Sequence, residues 1–235
     1  MFSSGSLIIF VVCFIVGLWV QARLRRKFKK YGQIPLSAGL SGKEIAERML
    51  SDEGIDDVQI TCVAGKLTDH YNPSAKTVNL SEEVYSGRSI SSAAVAAHEC
   101  GHAIQHARSY PLLSLRSNLV PLQNISSRLM NFLFIAMFLG AWGMPGLFSY
   151  HTALLIIIGC YTIFTLFSFV TLPVEFDASR QALSWLRVQG ISNSEEELMI
   201  QDALSAAAQT YIVAALSSLA MLLHYVMLFL GGNRE

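Results

Sequence analysis

The sequence predicts a mainly α-helical membrane protein, with four transmembrane helices and a small α+β region outside the bilayer. Hydrophobic residues make up 52% of the 235 residues, and charged residues only 14%. The charged residues collect between long uncharged runs, and these runs have the length that spans a bilayer. The formal net charge is zero, so the composition gives no indication of nucleic-acid binding.

The first uncharged run, residues 1–22, is followed directly by the strongly basic segment 23–30. A cleaved signal peptide carries its positive charge before the apolar stretch and a small-residue cleavage site after it. The order is reversed here. We therefore predict an uncleaved transmembrane anchor over 1–22, with the N-terminus outside and the basic segment in the cytoplasm.

The polar block that follows contains helix and strand patterns. Ser41 followed by Glu44 is the sequence pattern of a capping box, and it predicts a helix over 42–52. Residues 58–63 alternate in the way that is typical of a strand. Residues 67–80 predict two short strands joined by a turn, that is, a short β hairpin.

An H-E-x-x-H motif lies in the alanine-rich stretch 93–108, which contains nothing that breaks a helix. On a helix, His98 and His102 lie on one face and can bind one zinc ion through their ring nitrogens. Glu99 is then placed to accept a proton from a water molecule whose pKa the zinc has lowered. This chemistry is hydrolysis of a carbonyl compound, in practice of a peptide bond. The alternative is two partly exposed histidines on an ordinary helix.

Three further membrane spans are predicted downstream. No charged residue occurs over 129–174, which is long enough for two spans, and we place them at about 129–147 and 152–172. The final uncharged run, 203–233, contains a fourth span at about 210–230.

The distribution of Lys and Arg predicts the orientation of these spans. Of the 17 Lys and Arg residues, 14 lie in 23–128 and 2 in 174–209, so the positive-inside rule places both segments in the cytoplasm. The predicted organisation has five segments: an N-terminal transmembrane anchor (1–22), a cytoplasmic region with the H-E-x-x-H motif (23–128), two transmembrane helices (129–173), a cytoplasmic helical segment (174–209) and a C-terminal transmembrane helix (210–235).

Glu175 is the first charged residue after the long apolar run. A carboxylate at the end of a span is costly to bury without a partner, and zinc would be such a partner. The alternative is a carboxylate in the headgroup region, paired with Arg180. His98, His102 and Glu175 would give three protein ligands and one open position, which is the pattern of catalytic zinc.

Several other polar residues are less clearly assigned by the sequence. His70, in the predicted hairpin, is a candidate catalytic residue that could polarise a substrate carbonyl. Cys100 points away from the two motif histidines, and His106 lies a further helical turn along. The sequence does not choose between structural and functional roles for the remaining candidates, which are Asp177, Arg180, Asp202 and His224.

Three motifs occurring in order resemble the YugP-type neutral zinc metallopeptidases of bacterial membranes. They are LTDHYNPSAKTVNLS (67–81), AAHECGHAIQ (96–105) and LPVEFDASRQA (172–182). The last motif also resembles, more distantly, the E-[FY]-x-A-D element of HtpX-like membrane peptidases, in which the glutamate is the third zinc ligand. The resemblance therefore implies Glu175 as that ligand. Ser179 departs from the HtpX-like pattern, which has Asp there. Asn72 and Cys100 depart from the YugP-type pattern at positions that are not proposed ligands.

The sequence thus predicts a membrane-embedded zinc endopeptidase, with one Zn²⁺ per chain held by a gluzincin-like ligand set in a zincin-like α+β region. We expect it in a bacterial inner membrane, with its active site facing the cytoplasm. Its expected partners are the lipid bilayer and polypeptide substrates, among them membrane or misfolded proteins. Two alternatives are a zinc protease that cleaves within the bilayer, and a non-catalytic, zinc-stabilised membrane scaffold or adaptor.

Overall fold

A computed structural model describes residues 4–142 and 150–232 of the chain, and it is mainly helical. The described helices are α1 (Ser4–Tyr31), α2 (Gly42–Asp52), α3 (Glu82–Tyr85), α4 (Ile90–Ala107), α5 (Pro111–Trp142), α6 (Tyr150–Val188) and α7 (Ser194–Gly232). The strands are β1 (Gln59–Val63), β2 (His70–Asn72) and β3 (Thr77–Ser81).

Three stretches in the described part of the chain are long and apolar enough to cross a membrane. They are Gly5–Tyr31, Tyr150–Val188 and Ser194–Gly231. Few residues in their most apolar windows are buried (6%, 17% and 22%, respectively), as expected for helices that face lipid; Ile15, for example, is 57% exposed. The fourth predicted span, 129–147, runs from α5 into residues outside those that the structure describes.

The chain divides into two compact units. Segments 19–114 and 172–210 form the first, which we call the sheet unit because it contains the three strands. Its core consists of small and aliphatic side chains from α2, α4, β3 and the adjoining parts of α6 and α7. The second, the helical unit, comprises 1–18, 115–171 and 211–235, and in its described part Leu154, Met221 and Tyr225 form a buried cluster.

The sheet contains the predicted hairpin and one pairing that was not predicted. β2 and β3 are antiparallel, with Tyr71 opposite Val78, which confirms the hairpin. Its turn is closed by the Asn72 side chain, whose Oδ1 accepts the backbone N–H groups of Ser74 and Ala75. β1 is paired in parallel with β3, so the strand order is β1-β3-β2 and β2 lies at an edge.

The N-terminal caps of α2 and α7 compare with the capping-box pattern in different ways. The capping box of α2 is confirmed, since the Ser41 hydroxyl accepts the N–H of Glu44 and the Glu44 carboxylate accepts the N–H of Ser41. Ser194 and Glu197 also match the capping-box pattern by residue type and spacing, but they do not form one. Asn193 is the residue that caps α7.

The cap lies at Asn193 and not at Ser194 because Asn and Ser are about equally favourable at this position. The Asn193 side chain accepts the N–H groups of Glu195 and Glu196, and the Glu196 carboxylate accepts the N–H of Asn193. Because α7 starts one residue earlier than the Ser pattern implies, Ser194 is its first helical residue. Glu196 also accepts hydrogen bonds from the backbone and the hydroxyl of Ser37.

Helix α6 continues without a break from its apolar part into the segment that bears Glu175. The sequence suggests a span that ends near residue 172 and a separate helix to about residue 189, but the structure has one helix from Tyr150 to Val188. Pro173 lies inside it. A proline removes one backbone donor but does not always end a helix. Glu175 therefore lies in the interior of a long helix and not at the start of a new one.

Candidate metal centre

Helix α4 carries the two motif histidines, and its sequence explains why neighbouring elements pack closely against it. The Ser89 hydroxyl caps its N-terminus by accepting the N–H of Ser92 at 3.2 Å. Four alanines in 93–97 are fully buried, because small side chains allow neighbouring elements to approach the helix axis. His98 and His102 follow on one face, with their ring centroids 4.8 Å apart.

Helix α6 approaches α4 at Gly101, between the two histidines. A Cβ atom at Gly101 would lie 2.7 Å from the carbonyl oxygen of Ala178, which is closer than real Cβ contacts allow. Glycine at this position therefore lets the two helix backbones touch. Glu175 lies three residues before Ala178, on the same side of α6, and this contact places its carboxylate beside the histidines.

Three side chains converge there: His98, His102 and Glu175. The Glu175 Oε2 atom lies 3.2 Å from Nε2 of His98 and 3.6 Å from Nε2 of His102. The metal-binding atoms of all three residues lie within 4.8 Å of one another. His102 and Glu175 are buried, and His98 is partly exposed.

These distances fit a tetrahedral zinc site. Two ligand atoms that each lie about 2.0–2.1 Å from one zinc ion, at a tetrahedral angle, are separated by roughly 3.3 Å. The observed separations of 3.2 and 3.6 Å match this value. Two imidazoles and one carboxylate are also ligands that zinc accepts, and three protein ligands leave one position open for water or substrate.

The electrostatics of the buried pair also favour a cation. Burial by itself would lower the pKa of His102, but the hydrogen bond and the negative charge of Glu175 outweigh it, and the pKa of His102 is raised. The Glu175 carboxylate therefore favours a positive charge at this position, and a divalent cation held by the same side chains would supply it.

The outer nitrogens of both histidines have hydrogen-bond partners. Nδ1 of His98 lies 3.1 Å from the Ser179 hydroxyl, and Nδ1 of His102 lies 3.0 Å from Oε1 of Gln105. Both rings therefore present Nε2 to Glu175. The departure from the HtpX-like pattern at Ser179 thus retains a polar partner for His98, a hydroxyl instead of a carboxylate.

Glu99 lies outside the ligand cluster, between α4 and the edge strand β2. The residue is 9% exposed, and Oε2 accepts the backbone N–H of Tyr71 at 3.0 Å. Tyr71 is opposite Val78 in a pairing that leaves its N–H on the outer side of the strand, away from β3. The edge strand is therefore held directly against the residue predicted to be the general base.

The other polar residues singled out in the sequence have partners away from the ligand cluster. His70 is exposed, with Nδ1 2.8 Å from the carbonyl oxygen of Thr68. His106 contacts the Tyr71 hydroxyl at 2.7 Å. Cys100 is buried with Sγ 3.8 Å from the Ala46 carbonyl oxygen, as expected for a side chain that points away from the histidine face, and burial raises the pKa of its thiol.

The candidate acidic residues beyond Glu175 also have different partners. The Asp202 carboxylate accepts hydrogen bonds from Lys27 and Tyr31, which ties α1 to α7 within the sheet unit. Asp177 accepts hydrogen bonds from Arg180, Gln181 and Gln105. His224 lies in the helical unit, with its ring 5.6 Å from that of Tyr225.

Sequence reasoning missed two residues of the site: Gln105 and Tyr71. Gln105 lies three residues after His102, a spacing at which side chains on a helix meet, so the sequence did contain a signal for this contact. Tyr71 contributes a backbone N–H, and no pattern of side chains reports which backbone group will face a carboxylate across the fold.

Comparisons with known proteins agree with the chemistry of this site. A family model described as "Putative neutral zinc metallopeptidase" matches residues 6–230. The chain is 43% identical over 232 residues to "Putative membrane protease YugP" of Bacillus subtilis (strain 168), and the alignment covers 97% of this chain and 99% of that protein. No solved structure matches the chain.

Proposed function

Because the chain belongs to the neutral zinc metallopeptidase family, we propose that it is a membrane-embedded zinc endopeptidase that hydrolyses polypeptides at the cytoplasmic face of the membrane. The observation that carries the proposal is the separation of 3.2 and 3.6 Å between the Glu175 carboxylate and the two motif histidines, next to Glu99, which is not part of the ligand cluster. Ligands at this spacing suit one zinc ion per chain.

The residues of the site have separate proposed roles in metal binding and proton transfer. His98, His102 and Glu175 would hold the ion, which when bound polarises the scissile carbonyl and lowers the pKa of the attacking water. Glu99 would accept the proton of that water and then donate it to the leaving amine. His70 is the proposed group for polarising the substrate carbonyl.

The edge strand β2 suggests how a polypeptide would bind. Its outer side is not paired with another described strand, and the Tyr71 N–H there points at Glu99. An extended peptide that adds to this edge would replace Glu99 as the acceptor of the Tyr71 N–H through one of its backbone carbonyls, and it would lie beside the general base. Recognition through backbone groups suits a peptidase that accepts many sequences, among them unfolded or membrane proteins.

The same proposal places the sheet unit in the cytoplasm and the N-terminus outside. Support comes from the basic segment 23–30 and from the 16 of 17 Lys and Arg residues that lie in the two segments assigned to that side. The four long helices would then anchor the enzyme in a bacterial inner membrane.

The four cysteines offer a direct test of this orientation. Among them only Cys62, on β1 in the sheet unit, is exposed. A membrane-impermeant maleimide is expected to label Cys62 in lysed cells and not in intact spheroplasts, because the sheet unit faces the cytoplasm. The variant Cys62→Ser gives the background from the other three cysteines. Equal labelling of Cys62 in intact spheroplasts and lysed cells would place the sheet unit outside and contradict the proposed topology.

The peptidase proposal itself is tested by removing the metal. We expect the purified, detergent-solubilised protein to cleave an unfolded polypeptide such as β-casein, to lose this activity on treatment with a zinc chelator, and to regain it with one equivalent of Zn²⁺. Mg²⁺ serves as the control ion, since a site with two imidazoles does not suit it. Cleavage that survives complete zinc removal would refute the proposal.

Cleavage within the bilayer receives less support than cleavage at its surface. Helix α4 packs in the sheet unit against α2 and the strands, and it is not among the stretches that are apolar enough to span a membrane in the described part of the chain. The scaffold alternative uses the same ligands but does not need Glu99.

A further inference from the structure

The side chain of Gln105 connects the two helices that supply the metal ligands. It lies on α4, one turn after His102, and is only 1% exposed. Its amide makes three hydrogen bonds: Oε1 lies 3.0 Å from Nδ1 of His102, and Nε2 lies 2.8 Å from the carbonyl oxygen of Val174 and 2.9 Å from Oδ2 of Asp177. Val174 and Asp177 flank the ligand Glu175 on α6.

The chemistry of these partners dictates which way the amide points. A backbone carbonyl and a carboxylate only accept hydrogen bonds, so the NH₂ group of Gln105 must face Val174 and Asp177. Its oxygen must then face His102. Because an amide oxygen only accepts, Nδ1 of His102 carries the proton of that hydrogen bond, and Nε2 is the nitrogen that remains for a metal.

We propose that Gln105 is a positioning residue of the metal centre, which fixes His102 as an Nε2 ligand and ties it to the segment of α6 that bears Glu175. The inference rests on the proposed function, since it presumes a metal at this site. Its strength is that every donor and acceptor of the Gln105 amide group facing these partners is used, and that the contacts with Val174 and Asp177 cannot be satisfied with the amide reversed.

The second histidine provides an internal comparison. Nδ1 of His98 faces the Ser179 hydroxyl, and a hydroxyl can donate or accept. The environment of His98 therefore does not select one tautomer in the way that Gln105 does for His102. Loss of Gln105 should accordingly weaken the hold on one ligand and leave the other two in place.

The test is the zinc affinity of the full-length protein in detergent, measured by competition with a chelator of known affinity. Gln105→Leu, which has a similar volume and no polar group, is expected to bind zinc about 10–100-fold more weakly than the wild type, the range seen when outer partners of metal ligands are removed. Gln181→Leu is the matched control. Gln181 donates to the same Asp177 carboxylate at 2.6 Å, and among the described residues no hydrogen bond joins it to a ligand histidine, so its loss should leave zinc affinity within about 2-fold.

The outcomes separate this inference from the proposed function. Wild-type zinc affinity in Gln105→Leu, or an equal loss in both variants, would overturn the positioning role and leave the peptidase proposal intact. A wild type that binds zinc and shows the 10–100-fold difference but cleaves no polypeptide would refute the peptidase alone. Absence of zinc binding by the wild type would overturn both.

A spectroscopic measurement on the wild type keeps the inference testable even where Gln105→Leu misfolds. In zinc-loaded wild type labelled with ¹⁵N-histidine, His102 should show a protonated Nδ1 and a metal-bound Nε2. The His102 signals are identified by their loss in His102→Ala, and coordination through Nδ1 would refute the inference.

Discussion

Replacing Glu99 by Gln should abolish peptide hydrolysis while one zinc ion per chain remains bound. The amide cannot accept the proton of the attacking water or pass it to the leaving amine, and loss of a general acid–base group costs about 10²–10⁴-fold in rate. Zinc should remain, because Glu99 lies outside the group formed by His98, His102 and Glu175. The measurements are the initial rate of β-casein cleavage and elemental analysis of the same purified sample.

The structure indicates that Glu99→Gln removes the proton acceptor and keeps the local hydrogen bond. The Glu99 carboxylate accepts one described hydrogen bond, from the backbone N–H of Tyr71, and the carbonyl oxygen of a glutamine can accept it as well. Glu47→Gln, an exposed carboxylate-to-amide change on α2, is the matched control and should retain full activity. A Glu99→Gln protein that binds zinc, folds and still supports wild-type function in cells would favour the scaffold interpretation.

Features encoded by short stretches of sequence were predictable. The helix over 42–52 is confirmed with its capping box, because both partners lie within four residues of each other. The hairpin of β2 and β3 is confirmed for the same reason, since a turn residue and alternating strand residues are adjacent in the chain. The convergence of His98 and His102 follows from helical spacing alone.

Features that depend on distant partners were not predictable in the same way. β1 pairs in parallel with β3, which is not the next strand in the sequence, and nothing in residues 59–63 specifies β3 as the partner strand. The continuity of α6 past Pro173 is not indicated by the local sequence, because a proline removes a backbone donor from the helix. The contact between Glu99 and the Tyr71 backbone needs the sheet and α4 to be positioned first.

The close approach of α4 and α6 links a locally predictable feature, the two motif histidines, to a ligand that is distant in the sequence. Residues 98–102 and 175 are far apart in the sequence, and only their chemistry and the resemblance to known membrane peptidases suggested that they share one ion. The structure supplies the missing physical link at Gly101, whose lack of a side chain allows contact with the Ala178 backbone. A ligand set divided between two helices therefore depends on a residue that contributes no ligand.

Substituting Glu175 by Ala should remove most of the zinc from the purified protein. The ligand set falls from three to two, and the carboxylate that balances the charge of the ion in a buried site is lost. Because removing an outer partner of a ligand alone costs about 10–100-fold in affinity, loss of a direct ligand should cost more than about 100-fold. Elemental analysis should find about one zinc per chain in the wild type and much less in the variant.

The choice of control decides what a negative result would mean. Asp202→Asn is the suitable one, because Asp202 is the other acidic candidate for a third ligand, and the structure places it against Lys27 and Tyr31 instead. An asparagine oxygen can still accept from both partners, so this variant should fold and retain its zinc. If Glu175→Ala kept its zinc, the third ligand would lie elsewhere, with His70 as the next residue to replace. If Glu175→Ala lost zinc and Asp202→Asn did not, the motif on α4 and the carboxylate on α6 would be two parts of one metal centre.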